Sequence, residues 1–442
     1  MRAWPWALAG LALAAPASAQ NCRFAVDSVG REGTISETPT GTNYFAGGGV
    51  LFSCVGTRIR MSSDSVASYG GSIGVVQFIG RVRYEDTTVV MTSNTGTYFR
   101  NGERWEARGN VITTNLESGS TLRGPSLDYY RVLNGTRDTA MMYAINRPRI
   151  NYFPVDSAGN REEAYVIDAD RVRMRGNDQV WAGGRVVINR SDFAATSDSL
   201  RLDTGVRDDA TLLGDPVLRG LGRDSFTLKG RRVDLSLDNK ELSYVLSQGR
   251  ANAITADLDL KADTIGLDLE DRKLVQTLAW GDSLRPHAVS ADFEIRADSL
   301  AFDTPGQQLT ESRAFGGASV AGTRDSTTGE QDAIFGDSVV ARFVQRDSAG
   351  QSRTLLDSLV ARGSARMYYR TGTDRSGLPG INYSRADRII VTMKPTFKSE
   401  VQRVELHGNV DGIQLDPRPV RPDSTPPDSV PPDSVRTGNG RR

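Results

Sequence analysis

One phrase returns along this chain: an aspartate, usually after a small residue, with apolar side chains two and four positions later. It reads Ala169-Asp170-Arg171-Val172-Arg173-Met174, Ser197-Asp198-Ser199-Leu200-Arg201-Leu202, Ala262-Asp263-Thr264-Ile265-Gly266-Leu267 and Ala297-Asp298-Ser299-Leu300-Ala301-Phe302. Later copies begin at Gly336-Asp337 and Ala386-Asp387, Ser63-Asp64-Ser65-Val66 is a degenerate first copy, and Arg231 to Leu237 fills a wide gap without the aspartate. Alternation with a period of two after a turn-forming residue describes a strand with one buried face. Its recurrence describes stacked units, each too small to bury its apolar face alone. The reading is a long β-structure built by repetition, whose function lies along its length.

A second phrase falls between the aspartates: a glycine opening an alternating strand. Examples are Gly80-Arg81-Val82, Gly109-Asn110-Val111, Gly184-Arg185-Val186 and Gly408-Asn409-Val410. The two phrases roughly alternate, as up-and-down antiparallel strands joined by tight turns would write them. Asn134-Gly135, Ala158-Gly159-Asn160 and Pro305-Gly306 read as turns, and Thr323–Asp332 and Thr371–Gly380 as long loops. No stretch sustains a 3.6-residue period, so helix is expected to be minor. The expected organisation is a leader over 1–19, an introductory segment over 20–49, the strand array over 50–415, and a tail over 416–442. Pro422-Asp423-Ser424 and its two echoes leave that tail no apolar periodicity, so it reads as disordered.

Arg2, the apolar run Trp4–Ala15 and the small residues Ala17-Ser18-Ala19 read as a cleaved secretion signal. No later segment approaches the roughly 20 apolar residues that a membrane-spanning helix needs. The expected location is therefore an exported, soluble one. There an oxidising environment makes a structural disulfide between Cys22 and Cys54 the default. Lys and Arg total 54 against 54 Asp and Glu, so no field favours nucleic acid, and none is expected as a partner.

Chemistry-bearing motifs are absent. There is no Gly-x-Ser-x-Gly, no His-Glu-x-x-His, no zinc spacing and no phosphate loop, and the two histidines, His287 and His407, have no partner phrase. The expectation is a protein that is not an enzyme, with no catalytic residue, metal or cofactor. The aspartates read as turn formers through their own backbone bonds.

Placed on a curled sheet, the positions two and four after each aspartate point inward: Val172, Met174, Leu200, Leu202, Ile265, Leu267, Leu300, Phe302, Val339, Ile389 and Val391, with Phe343 on the same face six after Asp337. Val233, Leu235 and Leu237 join them, while Arg171, Arg173, Ser199, Arg201 and Ala301 face outward. Any β-sandwich or solenoid core would show the same inward set.

The alternation of Gly-Asn-Val strands with Ala-Asp-x-Φ-x-Φ strands resembles the periplasmic lipopolysaccharide-transport proteins of the LptA/OstA type, over most of residues 45–415. The resemblance implies an all-β fold, an elongated open antiparallel β-jellyroll (a β-taco) stacked end to end between two membranes. It implies that the inward residues line a groove for the acyl chains of lipopolysaccharide or a related glycolipid, carried through the periplasm toward the outer membrane. Inner- and outer-membrane transport proteins would be its partners through end-to-end strand pairing, with edges near Tyr44–Ser53 and Val401–Leu415. This chain is longer than the common soluble member, and where the outer-membrane member continues into a barrel its proline tail is expected instead. The competing expectation is a dry-cored β-solenoid scaffold or adhesin-like envelope protein.

Overall fold

The computed structural model describes residues 22–415, apart from 32, 71–73, 157–158, 222–224, 239–240, 257, 272, 292, 323–330, 349–350, 374–378 and 395–400. The leader expected over 1–19 and the tail over 416–442 lie outside the described residues. The chain is all-β. Its strands form one 30-stranded antiparallel sheet, and two single 3-10 turns, Arg100–Gly102 and Pro305–Gln307, are the helical structure among the described residues.

Most strands are long and creased in the middle. The strand Gly41–Cys54 pairs through 41–45 with Thr34–Thr38 and through 50–54 with Phe24–Val29. Its other side pairs with Arg60–Tyr69, but the ladder skips Gly48 and Gly49, whose φ values of 81° and 97° turn the chain. The same break recurs between Ile79 and Val82, Arg108 and Val111, Gly183 and Val186, Gln248 and Ala251, and Arg362 and Ala365. Elsewhere the halves are separate strands, such as Met141–Ile145 with Arg149–Tyr152. The sheet is thereby folded along one line into two layers. The first carries residues such as 75–79 and 104–108, the second 82–85 and 111–115. The layers face one another: Phe52 of the second lies 5.7 Å from Phe78 of the first, and Tyr84 of the second 4.9 Å from Trp105 of the first.

The two sequence phrases meet on this crease. A Cβ added to Gly80 would strike the Asp64 carboxylate, one on Gly184 would strike Asp170, and the same holds for Gly214 with Asp198, Gly281 with Asp263, Gly316 with Asp298, Gly363 with Asp337 and Gly408 with Asp387. The glycine and its successor commonly both have positive φ, as at Gly80 (78°) with Arg81 (44°) and Gly184 (77°) with Arg185 (46°). Such a step needs glycine first and tolerates asparagine second, which accounts for the Gly-Asn spelling. The successor then reaches back to the aspartate: Arg81 to Asp64 at 2.6 Å, Arg185 to Asp170 at 2.7 Å, and Asn409 to Asp387 at 3.1 Å. The aspartates are therefore not the formers of strand-connecting turns that the sequence suggests. Asp64, Asp198, Asp263, Asp337 and Asp387 lie inside strands, at the bend, and the hairpins lie at the far ends.

Other expectations also change. Strands begin at Phe24, so the expected introductory segment 20–49 is already part of the array from Phe24 onward. The N-terminal edge is Phe24–Val29 with Thr34–Thr38; residues 44–53 belong to a strand flanked on both sides. Of the expected loop Thr371–Gly380, residues 371–373 extend the strand Gln351–Thr373 and Pro379 opens the strand Pro379–Met393. The loop at 323–330 lies outside the described residues. Ala301 faces outward as expected but is only 8% exposed, because its short side chain sits between its cross-strand neighbours Leu278 and Arg313.

Candidate functional site

The interior between the layers is one apolar cluster running from Cys22 to Val391. Every expected inward residue lies in it. Val172, Met174, Leu200, Leu202, Val233, Leu235, Ile265, Leu267, Leu300, Phe302, Val339, Phe343, Ile389 and Val391 are buried, and Leu237 is half-buried against them. What differs along the chain is the mouth, the edge opposite the crease where the hairpins of the two layers meet.

In the N-terminal half the mouth is shut. The strand ends carry Tyr84, Tyr98, Trp105 and Tyr129, all buried. Asp86, in a hairpin of the second layer, accepts bonds from the backbone N–H groups of Thr88 (2.7 Å) and Val89 (2.8 Å) and from the hydroxyls of Tyr84 (2.9 Å) and Tyr129 (3.0 Å). Glu103, in a hairpin of the first layer, accepts from the Tyr98 hydroxyl (2.5 Å) and the Cys22 backbone N–H (2.9 Å). Arg131 joins the two carboxylates, at 2.5 Å from Glu103 and 3.5 Å from Asp86. Burial pushes the phenols of Tyr84, Tyr98 and Tyr129 well above the ordinary tyrosine range, and Asp86 or Glu103 adds to the shift. Burial opposes the charge on Arg131, but Tyr84, Glu103, Tyr98 and Asp86 outweigh it and raise its pKa.

The same kind of closure continues along the mouth. Asn115 donates to Asn177 at 2.5 Å, Asn177 donates to Glu117 at 2.7 Å, and the Tyr152 hydroxyl donates to the Asn177 carbonyl at 2.9 Å and meets Thr204 at 2.5 Å. A cavity of about 40 Å³ lies behind it, lined by Thr113, Ser120, Tyr129 and Met142 among others. It has room for a water molecule or so and not for an acyl chain. The disulfide Cys22–Cys54, with a Cα–Cα distance of 5.1 Å, ties the chain's first described residue to this end, where Phe24 packs edge-on to Tyr98 at 5.3 Å.

From Phe226 onward the mouth is built differently. Moving outward from the crease along one strand, Val233 is 0% exposed, Leu235 is 4% and Leu237 is half-buried. Ile265, Leu267 and Leu269 repeat this gradient, as do Ile389, Val391 and Met393. Leu274, Leu309 and Leu356 continue the lip of the first layer, and Phe226, Leu258, Phe293 and Tyr369 that of the second, all half-buried. Phe293 and Phe343 meet across the gap at 6.0 Å. At about 4.8 Å per strand step, the first-layer lip from Leu237 to Met393 is roughly 40 Å long. It is an apolar track with carbon surface turned to solvent along its length. The aspartate phrase, read at two and four positions, stops short of this lip, because Leu269 and Met393 sit six positions beyond Asp263 and Asp387, where the alternation runs into the hairpin.

His287 is 2.9 Å from Glu294, which also binds Arg296 at 2.5 Å, and His407 is 3.4 Å from Glu405. Among the described residues no group of three or more His, Cys, Asp or Glu is placed to hold a metal, and no helix is long and apolar enough to cross a membrane. No protein-family model matches this chain, and no curated protein is significantly similar to it.

Proposed function

We propose that this chain is a periplasmic lipid-binding bridge component, carrying lipopolysaccharide or a related glycolipid toward the outer membrane with its acyl chains in the apolar seam. The observation that carries the reading is the exposure gradient of the C-terminal half, where three successive apolar positions run from fully buried at the crease to half-buried at the lip. Burying a methylene is worth about 0.8 kcal/mol, so one acyl chain laid along such a lip gains on the order of 10 kcal/mol. A lip of near-uniform composition offers similar energy at each step, so cargo could slide under a push from a partner.

The sheet ends supply docking strands. Among the described residues, Val401–His407 and Asp411–Leu415 at the C-terminal end pair with Pro379–Met393 on one side, and Ile413 and Leu415 are about three-fifths exposed. A strand at the edge of a sheet accepts a strand from another chain. Inner- and outer-membrane transport proteins are the partners we propose for the two ends.

The full burial of the crease-side residues and the closed N-terminal mouth favour a second reading, a dry-cored scaffold of the envelope. The deciding experiment is lipid extraction from the protein purified out of its native envelope without detergent exchange. The transport reading expects copurifying glycolipid, lost in the double variant Leu269→Asp, Met393→Asp while the protein stays folded. Wild-type protein free of lipid would leave the scaffold.

A further inference from the structure

Resting on the lipid reading above, we infer that the seam is a blind pocket: open from Phe226 to the C-terminal end, and shut from Cys22 to Thr204 by its own side chains. Lipid then enters and leaves through the C-terminal mouth or the C-terminal end, and the N-terminal half acts as a stop. A conduit needs a continuous cross-section for the acyl chains. Here the space an acyl chain would occupy is filled, near the N-terminus, by Phe78, Tyr84, Tyr98, Trp105 and Tyr129, each at most 1% exposed.

The filling is also locked. Arg131 ties Glu103 of one layer's hairpin to Asp86 of the other, so parting the lips there breaks a buried ion-paired cluster. That costs far more than parting two leucine lips, since removing the partner of a buried charge leaves it unsolvated. Farther along, Tyr152 reaches the Asn177 carbonyl and Thr204, which spans the mouth again at the boundary of the open part. The N-terminal residues close the end: the Cys22 backbone donates to Glu103, and the disulfide to Cys54 holds it there. A protein with one open end receives and releases cargo at that end, so a partner docked on the N-terminal edge holds the chain in the bridge without passing lipid through it. Any partner that hands lipid over must therefore meet the strands Pro379–Met393 and Asp411–Leu415 or the lip beside them.

The test places a photoreactive amino acid at one of four half-buried mouth positions in the full exported chain: Leu269 and Leu356 in the open part, Ala140 and Met142 in the shut part. Adducts are identified by mass spectrometry after illumination in the native envelope. Glycolipid adducts at Leu269 and Leu356, at least tenfold weaker at Ala140 and Met142, are expected. Equal adducts at all four would overturn the blind pocket and keep the lipid reading. No adduct at any position would remove both. In the paired variant Asp86→Asn, Glu103→Gln, which loosens the lock without leaving Arg131 facing apolar groups, adducts should rise at Met142. A folded variant with Met142 still silent would show that the lock is not what shuts this half.

Discussion

The two halves of this molecule share a crease and differ at the lip. On both sides of residue 205 strands fold over a glycine bend, and the layer between them is filled by Val, Leu, Ile and Ala. The N-terminal lip carries several tyrosine hydroxyls, one tryptophan and a buried Asp86–Arg131–Glu103 cluster; the C-terminal lip carries leucine, phenylalanine and methionine, with Tyr369 as its one tyrosine among the described residues. The difference teaches that the backbone repeat fixes the shape of the seam, and the last two side chains of each strand decide whether it opens. A hydroxyl or carboxylate at the lip can bond across the gap and close it. An alkyl group there has nothing to bond across the gap and remains available to another alkyl chain.

The comparison can be broken most forcefully at Arg131. Arg131→Met leaves Asp86 and Glu103 buried without their cation, and should destabilise the N-terminal half by about 3–5 kcal/mol. Hydrogen exchange should then speed up in Val75–Glu85, Arg104–Asn115 and Thr121–Tyr130, with Asp259–Glu270 and Pro379–Met393 unchanged. Uniform acceleration in both halves would show that they do not open independently.

Alkali should act in the same direction. The folded pKa values of Tyr84, Tyr98 and Tyr129 lie above the unfolded one. The stability they contribute is therefore complete below the ordinary tyrosine value of about 10 and is lost as pH rises beyond it toward the folded values. In the open half the raised phenol is Tyr244, which is only partly buried, so its loss is smaller. A pH jump above about 10 should therefore change Trp105 fluorescence before it releases lipid from the open half.

The smallest effect is expected at the open lip itself. Leu269→Ala removes a half-buried side chain and should cost about 1 kcal/mol of stability, below the 2–5 typical of a buried leucine. Its effect on lipid retention, read by extraction, should be the larger of the two. A loss of several kcal/mol would mean that this lip is packed shut as well.

The strand periodicity, the inward set from Val172 to Val391 and the alternation of two phrases were all legible in the sequence, because each depends on the two-residue period. The meeting of Asp170 with Gly184 was not, since it joins residues on different strands and depends on register. That is why the aspartates read as turn formers. The shut mouth was hidden for a related reason. Asp86, Glu103 and Arg131 belong to three separate hairpins, and nothing in their local sequence marks them as a cluster. Leu269 and Met393 could have been found by extending each alternation one step farther from the crease, as the run through Leu237 already did.

The most direct measurement is methyl NMR on methionine-labelled protein with a spin-labelled fatty acid. Met61 and Met91 lie buried in the shut half, at 0% and 1% exposure, and Met393 lies half-buried on the open lip. The account expects the Met393 methyl signal to broaden on addition of the lipid while those of Met61 and Met91 stay sharp. Broadening of Met61 and Met91 with Met393 unaffected would place lipid in the wrong half and contradict it.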